Sequence, residues 1–384
     1  DWSSDVCSSD LAGNITVTVS TAEAAITLAT TAGDNVLNAS EQSAGFTLSG
    51  ASKNLAQGTV LTVTLNGKTY TTEVGADGTW SVNVPAADAQ ALGDGTWTVN
   101  VIGKDAAGNT VNGSQTIGVD SVAPTLSVDT LAQDNIINAA EHSQPLTLTG
   151  KTTAEAGQIV TVTLNGKNYN ATVGSDGTWS VTLAADDVQA LNEGNHTLTV
   201  NVSDKAGNGS SVTADFTVDT TAPVVTIDTV AGDDVINSIE HGQNLIVTGS
   251  SDGLTAGTTL TVTVNGKTYP ATVLADGTWR AAIPAADVGA LAAGTVTVTV
   301  AGQSSAGNPV SISHDVTVDL ATVAISIDAI ASDDVINAAE KGADLVLSGA
   351  TSNVEENQTV TITFGGKSYT ATVGADGKWT TTVP

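Results

Sequence analysis

An all-β chain of antiparallel β-sandwiches repeated in tandem is predicted by three observations. The stretch Asp233-Asp234-Val235-Ile236-Asn237-Ser238-Ile239-Glu240 has counterparts starting at Asp34, Asp134 and Asp333, a spacing of 99 or 100 residues. A period of that size is one small domain copied along the chain. Inside each period, short runs alternate Val, Leu or Ile with Thr or Ser and end in turn residues, the pattern of half-buried strands. Hydrophobic residues make up 40% of the chain but aromatics only 3%, so aliphatic side chains must fill the cores and disorder is disfavoured.

The second copy shows the elements most clearly. Thr125–Asp129 reads as a first strand, followed by the acidic loop Asp134–Glu141 and a second strand at Leu146–Thr149. Val160–Leu164 is a third strand, and Asn165-Gly166 after it is a two-residue hairpin signal because both residues tolerate positive φ. The chain returns through Tyr169–Val173, turns at Asp176-Gly177 and runs out through Trp179–Leu183. Ala184–Leu191 lacks alternation and reads as a short helical crossing with Leu191 as a core plug, matched by Leu92 and Leu291. Two longer strands, His196–Val202 and Val212–Val218, are joined by Asp204-Lys205-Ala206-Gly207-Asn208. Roughly seven strands at this spacing predict an immunoglobulin-like sandwich. Trp80, Trp179, Trp279 and Trp379 hold one strand position, as do Tyr70, Tyr169, Tyr269 and Tyr369. Both sets are expected to pack the cores rather than stack on sugars.

The copies divide the chain into repeats at 21–120, 121–219, 220–319 and 320–384. Residues 12–20 resemble the end of a preceding repeat, and residues 1–11 match nothing in the repeats and resemble a translated adapter. The chain stops partway through a repeat, as expected of a piece of something longer. Linkers Val119–Pro124 and Val218–Pro223 are short and end in proline, which favours an extended approach and end-to-end stacking. The junction at Val318–Val323 lacks the proline and is expected to bend more.

Charge narrows the partners. With 40 acidic and 11 basic residues the net charge is −29, which repels nucleic acid and anionic membrane. No apolar run reaches the length of a membrane span, so direct membrane insertion is not expected. The single cysteine, Cys7, lies outside the repeats, so no disulfide staples a sandwich and a metal can serve instead.

The series Asp204-Lys-Ala-Gly-Asn208, then Val218-Asp-Thr-Thr-Ala-Pro223, then Asp233-Asp-Val-Ile-Asn237 with Glu240 resembles bacterial Ig-like repeats. Such repeats form the stalks of giant biofilm-associated and epithelial adhesins exported by type I secretion. The resemblance covers residues 12–384. It implies an extracellular place on the bacterial cell surface, calcium at or near domain junctions, and a role in cell adhesion and biofilm formation.

In such a sandwich the loop between the first two strands lies at the end where the last strand leaves. The loop between the last two strands lies at the other end, so stacked copies bring one acidic loop towards the next Ala-Gly-Asn loop. At the first junction that groups Asp34, Asn38, Glu41 and Asp120 with Asp204 of the second repeat. The second groups Asp134, Asn138, Glu141 and Asp219, with Ser304 where Asp204 stood. The third offers Asp233, Asn237, Glu240 and Asp319, and the fourth acidic loop carries Asp333, Asn337 and Glu340. Asp129, Asp228 and Asp328, at the ends of first strands, are added as candidates; the first repeat has Ala29 there.

Gathered carboxylates repel one another at neutral pH unless a cation sits among them. Calcium takes six to eight oxygens with tolerant geometry, whereas magnesium prefers a small octahedral shell and zinc prefers sulfur or nitrogen. Calcium is therefore the expected metal, set against the plainer reading that these residues only make turns and keep the surface soluble. Asp77, Asp176, Asp276 and Asp376 precede turn glycines and take the plainer reading, while Asp88, Asp187 and Asp287, in the helical crossing, are expected to serve capping or solubility. The expected function is a structural stalk segment stiffened by calcium, with neighbouring repeats of the same longer chain as its first partners. The alternative is that the repeats themselves bind host or matrix glycans or protein, or self-associate between cells, with Trp97 the residue that leaves this open. An enzyme is not expected, because no catalytic constellation stands out from the repeat background.

Overall fold

The computed structural model describes residues 23–384, so the leader at 1–11 and the remnant at 12–20 lie outside the described residues. Two compact units are present. Among the described residues, one comprises residues 23–135 together with Gln144–Thr217, and the other Ile136–Ser143 together with Val218–Pro384.

The first unit opens with a complete sandwich. Its elements are β1 (Ala25–Leu28), β2 (Val36–Leu37), α1 (Ala39–Ala44), β3 (Phe46–Lys53), β4 (Val60–Leu65), β5 (Lys68–Glu73), β6 (Thr79–Val84), α2 (Ala86–Gln90), β7 (Gly95–Lys104) and β8 (Thr110–Val119). A three-stranded sheet, β1-β3-β6, faces a five-stranded sheet, β2-β8-β7-β4-β5. All pairings are antiparallel except that of β2, which runs parallel to β8 through Val36↔Gly118 and Leu37↔Val119. Alternation dictates the packing: Leu61, Val63 and Leu65 of β4 face inward beside Val99 and Val101 of β7, while the Thr residues between them face out.

The second sandwich repeats this plan. Leu126–Val128, Leu146–Thr152 and Thr178–Leu183 form its three-stranded sheet, and Ile159–Leu164, Lys167–Thr172, Gly194–Ser203 and Gly209–Val218 lie in the opposing one. The hairpin read at Asn165-Gly166 is present, with φ of 50° and 76°. The crossing is a helix at Ala185–Gln189, and Leu191 behind it is buried as a plug.

In the second unit the third sandwich has the three-stranded sheet Val224–Val225, Leu245–Asp252 and Thr278–Ile283. Val235–Asn237 runs parallel to Pro309–Asp319 there, as β2 does to β8. The fourth has the sheet Ala324–Ile327, Leu345–Ser352, Lys378–Val383 and one hairpin, Thr359–Phe364 with Lys367–Thr372. The described residues include no counterpart of β7 and β8 here, and Ile336 is 43% exposed where Leu37 is fully buried.

One feature repeats in all four sandwiches: a glycine faces the tryptophan across the three-stranded sheet. The pairs are Gly50↔Trp80, Gly150↔Trp179, Gly249↔Trp279 and Gly349↔Trp379. A Cβ at each glycine would lie within 2.8 Å of the indole Cζ2 and Cε2, and the four tryptophans are buried core residues. Among the described residues no helix is long and apolar enough to cross a membrane.

Candidate functional site: the joints between repeats

Each acidic loop is more structured than an open ligand loop. Asp34 Oδ1 accepts from the Val36 amide at 2.8 Å, a local turn that starts β2. Asn38 then caps α1: its Oδ1 accepts from the Glu41 amide at 3.0 Å, and Glu41 Oε2 accepts from the Asn38 amide at 3.0 Å. This reciprocal box satisfies two orphan N–H groups at the helix start. Asn138 and Glu141 form the same box, at 3.1 Å in both directions. Asn237 with Glu240, and Asn337 with Glu340, repeat the two bonds. Asp233 and Asp333 accept from Val235 and Val335 at 3.0 Å, whereas Asp134 closes the 3-10 turn through its amide to Leu131 O at 3.1 Å.

Other candidates are held elsewhere. Asp129, Asp228 and Asp328 accept from the hydroxyls of Thr149, Thr248 and Ser348, at 2.7, 2.8 and 2.7 Å, across the three-stranded sheet. Linker Asp120, Asp219 and Asp319 accept from amides two residues on, Val122, Thr221 and Ala321, at 3.3, 3.2 and 2.9 Å.

Within the first unit, the two sandwiches meet through a residue that the charge-led reading passed over, Asn208. Asp204 prepares it: Asp204 Oδ1 accepts from the Asn208 amide at 2.8 Å, and Oδ2 accepts from Asn208 Nδ2 at 3.0 Å. Asn208 Nδ2 also donates to the Asp120 carbonyl at 2.8 Å, and Asn208 Oδ1 accepts from the Ala39 amide, at the start of α1, at 2.9 Å. Asn38 returns a bond, its Nδ2 donating to the Ala206 carbonyl at 3.1 Å. The junction therefore brings Asn38, Asp120 and Asp204 around one side chain, while Asp34 and Glu41 stay engaged within their own loop.

The second unit contains the equivalent contact. Asn308 Oδ1 accepts from the Ala139 amide at 2.8 Å, and Asn308 Nδ2 donates to the Asp219 carbonyl at 2.7 Å. Ser304 stands in for Asp204, accepting from the Asn308 amide at 3.2 Å. The signal for these asparagines was present in the recurring Ala-Gly-Asn triplet, but their partners across the joint lie 88 to 169 positions away and are backbone groups that no motif marks.

The donor chemistry of the joint suits a hard cation, since every side-chain acceptor is oxygen. The arrangement does not. Among the described residues no group of three or more His, Cys, Asp or Glu gathers as a metal site. The cleft at the first joint, of about 190 Å³, is lined by Asn38, Ser40, Ser121, Gly207, Asn208 and neighbouring alanine and glycine, with no carboxylate. As they stand, the carboxylates do not fit a calcium site, and holding the ion would require them to turn away from the N–H groups they now serve.

Two further clusters lie away from the joints. Lys167 pairs with Asp187 at 2.6 Å, and Lys267 pairs with Asp287. Tyr70 and Tyr269 donate to Asp88 and Asp287 at 2.9 and 3.0 Å. Burial, with the Asp88 carboxylate accepting its proton, pushes Tyr70 up to about 12. The crossing aspartates thus fasten the helix to β5 and its counterparts instead of capping it. Trp97 donates its Nε1 hydrogen to the Gly93 carbonyl at 2.8 Å and packs against the first core.

A family model described as bacterial Ig-like domain matches residues 14–121 and 127–220, more than half of the chain. The chain belongs to the bacterial Ig-like domain family. Comparison with curated proteins finds no match. Three solved structures are similar to the chain in sequence. One is described as a Ca2+-stabilized adhesin that helps an Antarctic bacterium reach out and bind ice; it is 36% identical over 94% of this chain and 90% of that one, with a TM-score of 0.40. A second comes from work on host cell surface retention of a 1.5-MDa bacterial ice-binding adhesin, at 31% identity over 78% and 98%, with a TM-score of 0.43. The third is a tetra-tandem repeat in the extending region of a large adhesion protein, at 27% identity over 94% and 90%, with a TM-score of 0.35.

Proposed function

We propose that these bacterial Ig-like repeats are a stalk segment of a bacterial cell-surface adhesin, holding a binding region away from the cell. The observation that carries this reading is the Asn208 joint and its recurrence at Asn308. A spacer must fix each module against the next, and polar side chains spent on a neighbour's backbone serve that purpose. The partners are neighbouring repeats of a longer chain, in an extracellular setting that supports adhesion and biofilm formation after type I secretion.

Calcium is the finer part of the proposal. The net charge of −29 makes every acidic loop costly to bring near another, and an ion taken up at or near the junctions offsets that repulsion and stiffens the chain. The candidate ligands are the carboxylates of the acidic loops and linkers, Asp233 and Asp319 at the third junction, where the described residues include no Ala-Gly-Asn loop of a following repeat. The test is a calcium titration of the full chain followed by calorimetry and small-angle scattering. Uptake at roughly 10⁻⁴ to 10⁻³ M with reduced flexibility is expected. Replacing Asp233 and Asp319 with Asn should weaken it. Scattering and heats that do not change at millimolar calcium would remove the ion from the account.

A further inference from the structure

We propose that the Ala-Gly-Asn loop is the docking element of each repeat, and that it closes the joint without a metal. The inference deepens the stalk reading and rests on it for its purpose; the docking itself rests on four observations.

Each residue of the triplet has a separate task. The Ala206 carbonyl accepts from Asn38. Gly207 has a φ of +94°, and a Cβ there would lie 3.3 Å from Asn38 Nδ2; Gly307 has a φ of +85°, with Asn138 Nδ2 at 3.2 Å. Glycine takes this left-handed backbone without strain and leaves the neighbouring asparagine room, where a Cβ would press on it. Asn208 and Asn308 then supply the bonds to the neighbour.

Both donors and the carbonyl of the asparagine are engaged. A primary amide has two N–H donors and one carbonyl. In Asn208 the donors serve Asp120 O and Asp204 Oδ2, and the carbonyl serves the Ala39 amide.

The contact also survives loss of its carboxylate. Ser304 replaces Asp204 in the third repeat, yet Asn308 keeps bonds of 2.8 and 2.7 Å to the neighbouring loop and linker. A joint held by an ion between carboxylates would not tolerate that change, whereas a joint held by an amide does.

Finally, the loop is built before it docks. In the first repeat Asp105 Oδ1 accepts from the Asn109 amide at 2.8 Å, and Oδ2 accepts from Asn109 Nδ2 at 2.9 Å. These match the Asp204–Asn208 bonds within 0.1 Å. Yet Ala107 and Asn109 are exposed, while Ala206, Asn208, Ala306 and Asn308 are buried. The Asn109 side chain, with the amides beside it, holds the Asp105 carboxyl below its ordinary value. A surface already in its bound shape loses little entropy on docking.

The test is a distance measurement between spin labels on the full chain, with Cys7→Ser and labels at Glu73→Cys and Thr172→Cys, exposed positions in the first and second repeats. In chelator a single narrow distance population is expected, and millimolar calcium should not move its mean. Asn208→Ala should abolish that narrow population while circular dichroism stays native, and Asn308→Ala should leave it intact. A broad distribution that narrows only with calcium would overturn the proposal, as would a narrow one that survives Asn208→Ala. Failure of calcium uptake in the titration above would remove the ion and leave this joint standing.

Discussion

Replacing Gly150 with alanine is expected to destabilise the second sandwich by about 3 kcal/mol, the upper end of overpacking costs. A Cβ at Gly150 would sit 2.0 Å from the Ser127 carbonyl oxygen and 2.7 and 2.8 Å from Trp179 Cζ2 and Cε2. The carbonyl belongs to the neighbouring strand and the indole is 2% exposed in a packed core, so neither can move without breaking sheet register or core packing. Gly50, Gly249 and Gly349 have the same surroundings, so the effect should repeat in every sandwich. Urea unfolding followed by tryptophan fluorescence gives the measurement. Gly93→Ala, with nothing within 4 Å of the added carbon, is the control and should move the midpoint little. An unchanged midpoint for Gly150→Ala would mean that the glycine–tryptophan contact does not constrain the sheet.

The second large effect is at the joint. Asn208→Ala leaves the Ala39 amide and the Asp120 carbonyl without their partner, at a cost of about 2 kcal/mol shared between two repeats. Because the loss falls on contacts between sandwiches, the expected signature in calorimetry is uncoupling, with the first and second repeats melting more independently. Asn208→Asp separates shape from chemistry. It keeps an acceptor for Ala39 but sets a second carboxylate against Asp204, and like charges at that range disfavour both being ionised. Its uncoupling should therefore exceed that of the alanine variant at neutral pH. It should recover partly in acid, once one carboxyl takes a proton and can donate again. Equal effects at all pH values would argue that Asn208 acts only by filling space.

Period-2 alternation and the hairpin at Asn165-Gly166 made the strands legible, because each signal is local and rests on backbone geometry. The plug leucines were legible for the same reason: an apolar residue after a helical crossing has one place to go. The acidic loops were read less well. Asn38 with Glu41 three residues on is a capping-box spacing, but four recurring carboxylates drew the reading towards ligands. Asp187 was assigned to capping or solubility, although Lys167, Tyr169 and Asp187 recur together at the repeat period as Lys68, Tyr70 and Asp88 and as Lys267, Tyr269 and Asp287. The glycine facing each tryptophan could also have been found from the period alone. What no local pattern contains is the Asn208 bond, whose acceptor and donor are main-chain groups of another repeat. Stacking order pointed to the right loops, and only the folded geometry singles out the neutral amide over the charges around it.

Amide hydrogen exchange at Ala39, in calcium-free buffer, is the measurement closest to the heart of this account. That N–H sits at the first turn of a short helix, where nothing in its own repeat accepts it, so only Asn208 of the next repeat can shield it. Slow exchange in the parent chain and fast exchange after Asn208→Ala is the predicted pair of results. An Ala39 amide that exchanges at the unprotected rate until calcium is added would contradict it.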